Sequence, residues 1–160
     1  MPATVSRRLF PTAADPTLTL ARLVLAVIFF AHGSQKMFGL FGGRGIQGTI
    51  EIFQADMGIP APLTVLVMCT EVFAALGLAA GFLSRLAALG IGCVMLVAPF
   101  ANHLYPQFFM NWTGRAAHEG FEYHLLALAL IVGIVARGGG AWSLDRAIAA
   151  RTSAGTSSTA

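Results

Sequence analysis

Six ionisable side chains, Arg22, His32, Lys36, Glu71, Glu122 and His124, lie inside or at the edges of long apolar stretches, and Arg85 and His103 bound another. A charge at mid-membrane costs about 3 kcal/mol even on lenient scales, so each needs a partner, a cavity or a route to the interface. Histidine and glutamate held near a membrane interface can exchange protons and hydrogen-bond a carbonyl oxygen. A quinone headgroup has two such oxygens on a lipid-soluble body, and its redox change moves protons together with electrons. His32, Lys36, Glu71, His103 and Glu122 are therefore the candidate chemical residues, with Phe29, Phe30, Phe100 and Tyr123 as an aromatic flank suited to a quinone ring. Bis-histidine haem is the weaker cofactor reading, because the spacing of His32, His103 and His124 singles out no pair.

Four apolar stretches must position these groups, over about residues 18–37, 62–81, 86–103 and 121–136. A bilayer core of about 30 Å asks for about 20 mostly apolar helical residues, so each is expected to be a transmembrane helix. The fold class that follows is all-α, an integral membrane bundle of four transmembrane helices. Ile46, Ile50, Phe53 and Met57 recur at helical spacing between polar residues, which adds a short amphipathic helix in the first external loop. With alternating helices, His32, Lys36, Glu71, Asn102, His103, Glu122 and His124 share the outer half of the bundle. Glu71, near the middle of the second stretch, must be protonated, paired with Lys36 or His32, or facing a polar cavity. Arg22 and Arg85 lie toward the inner face, where snorkelling to anionic headgroups is the plain reading.

The composition agrees with lipid as the main solvent. The chain is 56% hydrophobic and 11% charged, with a mean hydropathy of +0.74, whereas soluble domains carry about 25% charged residues. The net charge of +3 is scattered rather than striped, so nucleic-acid binding is not indicated. If the helices alternate, Arg7, Arg8, Arg22, Arg85, Arg137, Arg146 and Arg151 fall on one side, and Lys36, Arg44 and Arg115 on the other. The positive-inside rule then places both termini in the cytoplasm. Ser6-Arg7-Arg8 starts like a twin-arginine signal, but Pro11 to Asp15 interrupt it before the apolar stretch, so the first helix is expected to be retained. Residues 43–48 fit GxGxxG without the strand that a dinucleotide site requires, and a flexible turn is the better use of those glycines. Cys69 and Cys93 have no metal-ligand spacing and serve as small apolar residues. No metal site is expected. Three regions follow: a cytoplasmic segment 1–16, a membrane domain 17–146 and a disordered tail 147–160.

Several runs resemble the DoxX family of small bacterial membrane proteins. They are Ala21-Arg22, the stretch from His32 to Gly39 with its HG-x-x-K, Gly42-Gly43, Phe53, the Gly58-Ile59-Pro60 turn, Glu71 with Gly77-Leu78, the run from Gly81 to Ala88, Met95, His103 and Gly120-Phe121-Glu122-Tyr123. The resemblance spans about residues 17–146, with the segment from Trp112 to His118 departing from the pattern. It implies a four-helix protein of the bacterial plasma membrane, and some relatives are linked to membrane oxidoreductase complexes or thiosulfate:quinone oxidoreduction. It also implies Arg22, His32, Lys36, Glu71, Arg85, His103 and Glu122 as functional positions, which adds Arg22 and Arg85 to the cofactor-binding set. The leading expectation is a quinone-interacting redox subunit with a redox partner protein or a second copy of itself. The competing one is a non-enzymatic membrane scaffold or a small-solute or proton carrier.

Overall fold

The computed structural model describes residues 10, 12–102, 107–114 and 120–157; His103, Arg115 and the Arg7-Arg8 pair lie outside the described residues. Asp15 opens the first helix, its carboxylate accepting from the Thr17 amide at 2.9 Å and the Thr17 hydroxyl at 2.6 Å. These bonds, with Arg137 3.3 Å away, hold the Asp15 carboxyl below its ordinary value. A depressed carboxyl pKa means the cap is intact at neutral pH and is lost as pH falls through that lowered value. Pro16 follows, its missing N–H harmless at a helix start. Helix α1, Pro16–Phe38, then runs 23 residues until Gly39 turns left-handed at φ 70°.

A short 3₁₀ turn, Leu40–Gly42, leads into α2, Gly45–Met57, the amphipathic helix expected from its spacing. Gly58, at φ 65°, ends it, and the chain re-enters as α3, Ala61–Ala80. The tight turn at Gly81 passes to α4, Ser84–Asn102, which carries Pro99 inside it. Helix α5, Glu122–Arg137, and α6, Leu144–Ser157, are the last elements among the described residues. Helix α6 occupies most of the stretch that composition alone leaves as a disordered tail.

Helix α1 packs chiefly on α3, and α4 on α5; contacts between α3 and α4 and between α1 and α5 close a four-helix arrangement, with α2 laid across one end of it. Leu25, Phe29, Leu78, Ile91 and Ile134 fill the centre, each almost fully buried. The outward faces are no more polar than the core: Val27, Leu66, Phe73, Leu126 and Val132 are all more than half exposed. A bundle apolar on both faces is arranged for hydrocarbon outside, not water.

By length and composition α1, α3 and α4 can each cross a membrane. The fourth apolar stretch forms α5, but its 16 residues extend only about 24 Å at 1.5 Å per residue, short of a hydrocarbon core of about 30 Å. Its ends explain the shortfall. Phe121 and Glu122 are drawn back onto the preceding loop through amide bonds to Gln107 and Phe108, and Gly138 stops the helix at the other end.

Candidate functional site

The most informative contact follows from a glycine. Gly33 sits where α1 meets α3, and a β-carbon there would lie 2.8 Å from Val72 Cγ2 and 3.0 Å from both Glu71 Cβ and the Val72 amide nitrogen. Only glycine lets the two backbones approach this closely. One turn further along α1, Lys36 reaches across the seam, and its Nζ lies 2.5 Å from Glu71 Oε1. Glu71 is 2% exposed and Lys36 26% exposed, so the pair is sunk in the bundle with the ammonium toward its rim. The Lys36 carbonyl also accepts from the Thr49 hydroxyl at 3.1 Å, which ties α2 to the same turn.

This pair forms part of the wall of a cavity of about 450 Å³. Phe29, His32 and Lys36 come from α1, Phe53 and Met57 from α2, Val67 and Glu71 from α3, Met95 and Ala98 from α4, and Tyr123 and His124 from α5. Met110 and Gly120 close it from the loop between α4 and α5. The volume and the mostly apolar lining are those of a small-molecule site. Two of the lining residues carry a buried polar atom with no hydrogen-bond partner among the described residues, Glu71 at Oε2 and Tyr123 at its hydroxyl.

Of the residues singled out from sequence, His32, Lys36, Glu71, Phe29 and Tyr123 meet at this cavity, and His124 joins them. Others are placed elsewhere. Glu122 turns toward the loop, where its Oε1 accepts from the Met110 amide at 3.0 Å and the Trp112 indole at 3.2 Å, so it positions the cavity's cover rather than its wall. Phe30 and Phe100 are 39% and 77% exposed on outward faces, since neither helix register turns them inward. Of the histidines considered as haem ligands, His32 and His124 share the cavity, while His103 lies outside the described residues. Met57, Met95, Met110 and Gly120 were not readable as lining residues, because nothing local in the sequence says which neighbour an apolar face will meet.

Arg22 and Arg85 belong to the opposite end of the bundle. Arg22 does not snorkel; it is 3% exposed. Its Nε donates to the Gly139 carbonyl at 2.8 Å, one terminal nitrogen to those of Leu78 and Ala79 at 2.5 and 2.7 Å, and the other to that of Trp142. The planar fork thus fastens the end of α3 to the segment after α5. Asp145 completes the clamp at 1% exposure. Its two oxygens accept from the Leu83 and Ser84 amides at 2.7 and 2.8 Å, which places an anion at the start of α4 and holds Leu83 at its unusual φ of 49°. Gly81 and Gly140 leave no room for a side chain beside Ser143 and Thr19, so the segment packs directly on α1 and α3. Arg85 is half-buried at the α3–α4 turn beside this clamp, away from the cavity.

Comparison with curated proteins gives no match, and comparison with solved structures gives none. The family model described as DoxX matches residues 17–104, more than half of the 160-residue chain, and takes in Gly33, the Lys36–Glu71 pair and Arg22. With its apolar outward-facing helices, the chain is a membrane protein that belongs to the DoxX family.

Proposed function

We propose that this chain is a redox-associated membrane subunit whose cavity takes the headgroup of a quinone or quinol within a membrane oxidoreductase complex. The observation that carries this is the Lys36–Glu71 pair set in the wall of a mostly apolar cavity of about 450 Å³. Apolar walls suit the ring and the root of its tail, while the Tyr123 hydroxyl can donate to a ring oxygen and Glu71 Oε2 can accept from a ring hydroxyl, both atoms being unpartnered among the described residues. A quinone supplies two-electron, two-proton chemistry when bound. Lys36 holds Glu71 in place through its Oε1, Tyr123 orients the ring oxygen, and His32, exposed at the edge of the same wall, exchanges protons with the surroundings. Electrons come from a partner protein or a reduced-sulfur donor.

In this reading all four packed helices span a bacterial plasma membrane, α5 doing so where the aromatic-rich loop beside it thins the hydrophobic layer. The cytoplasmic face is the clamp end, where Arg22, Arg85 and Arg137 gather, and the cavity faces outward. Both termini are then cytoplasmic.

The two tryptophans test the proposal without touching the site. Trp112 is bonded to Glu122 beside the cavity, whereas Trp142 lies at the clamp end. With Trp142→Phe, leaving Trp112, decylubiquinone titrated into protein in nanodiscs should quench fluorescence saturably. With Trp112→Phe, leaving Trp142, quenching should rise only linearly as quinone partitions into lipid. Linear quenching in both variants would remove the cavity as the quinone site and favour a scaffold or carrier role.

A further inference from the structure

We propose that the cavity selects the reduced, hydroxylated form of its ligand, the quinol, because a lining residue holds a buried acceptor that needs a hydrogen-bond donor and, of the two forms, only the quinol brings one; this rests on the quinone reading above. Glu71 Oε1 is occupied by Lys36, but Oε2 has no hydrogen-bond partner among the described residues although Glu71 is 2% exposed. An ionised carboxylate can only accept. A buried acceptor left unmade is costly, so a ligand that brings a donor recovers that cost on binding.

The second orphan atom fixes the complementary requirement. The Tyr123 hydroxyl, contributed by α5 to the same wall, is buried and unpartnered and can donate to a ring oxygen. An oxidised headgroup carries acceptors only. It takes the Tyr123 proton donor but leaves Oε2 unpaired, and a carbonyl oxygen turned toward Oε2 is repelled. A reduced headgroup donates one hydroxyl to Oε2 and accepts from Tyr123, so both orphan atoms are satisfied. His32 and Lys36 from α1 and His124 from α5 also face the cavity, and none of them donates to Oε2. Sites that hydrogen-bond a ligand hydroxyl reject analogues lacking it far more strongly than apolar pockets sort by size.

The test is an anaerobic calorimetric titration of the full-length chain in nanodiscs with decylubiquinol and, separately, decylubiquinone. Quinol should bind the unaltered protein at least tenfold more tightly. In Glu71→Gln the ratio should collapse toward one, whereas Tyr123→Phe should weaken both forms and keep the ratio. Equal affinities, or tighter quinone binding, would overturn the selectivity and leave the quinone site standing. Binding of neither form would overturn both. A ratio unchanged in folded Glu71→Gln would show that Glu71 is not the selecting group. If Glu71→Gln does not fold, the ratios in the unaltered protein and in Tyr123→Phe still decide.

Discussion

Arg22→Ala should lower stability by about 3–5 kcal/mol. The side chain donates to four backbone carbonyls, those of Leu78, Ala79, Gly139 and Trp142, and is almost wholly buried in doing so. Removing it leaves several acceptors unmatched in the interior and takes a neighbouring positive charge away from Asp145. Arg22→Lys should recover only a minor part, because a single ammonium cannot reproduce a fork that reaches two separate segments. Leu20→Ala, on the exposed face of the same helix, should stay within about 0.5 kcal/mol. Thermal unfolding in detergent reads all three. A loss for Arg22→Ala no larger than for Leu20→Ala would mean that the clamp does not hold the bundle together.

The second large effect separates holding the fold from holding a ligand. Lys36→Met leaves the buried Glu71 carboxylate uncompensated and should cost about 3–5 kcal/mol. Adding Glu71→Leu removes the stranded charge, and packed apolar side chains should restore most of the stability, since replacing a whole buried pair is often neutral. Ligand affinity should not return with it. A double variant that melts like the unaltered protein yet binds quinol at least tenfold more weakly would assign the pair to binding. A double variant that is stable and binds normally would make the pair a packing device alone.

How much of this was legible in the sequence depends on how local each determinant is. Helices α1, α3 and α4 follow from runs of apolar residues with Asp15, Gly39, Pro60 and Gly81 as punctuation, all visible in a short window. Helix α2 follows from its 3.6-residue spacing. A glutamate in the middle of an apolar stretch demands a partner, which made Lys36 and His32 the natural candidates before the geometry gave Lys36. The destination of Arg22 was hidden because its acceptors at Gly139 and Trp142 are 117 and 120 residues away in the chain. Asp145 was hidden for the same reason: a single acidic residue after a glycine run carries no sign that it will cap a helix begun 61 residues earlier. The partners of Glu122 were not legible because depth along a helix is readable from order, whereas the direction in which a helix-start side chain turns is set by the loop that folds against it. The length of α5 likewise depends on that loop.

In the proposed function, a quinone-type headgroup occupies the cavity beside Lys36 and Glu71. Photolabelling of the full-length protein in nanodiscs with an azidoquinone, followed by peptide mapping, tests it most directly. Labels on the α1 stretch from Phe29 to Lys36 and on the start of α5 around Tyr123, displaced by excess unlabelled decylubiquinol, are the predicted result. Labels confined to the outward groove between α3 and α4 around Phe73, Leu86 and Leu89, or labels that excess ligand does not displace, would contradict it.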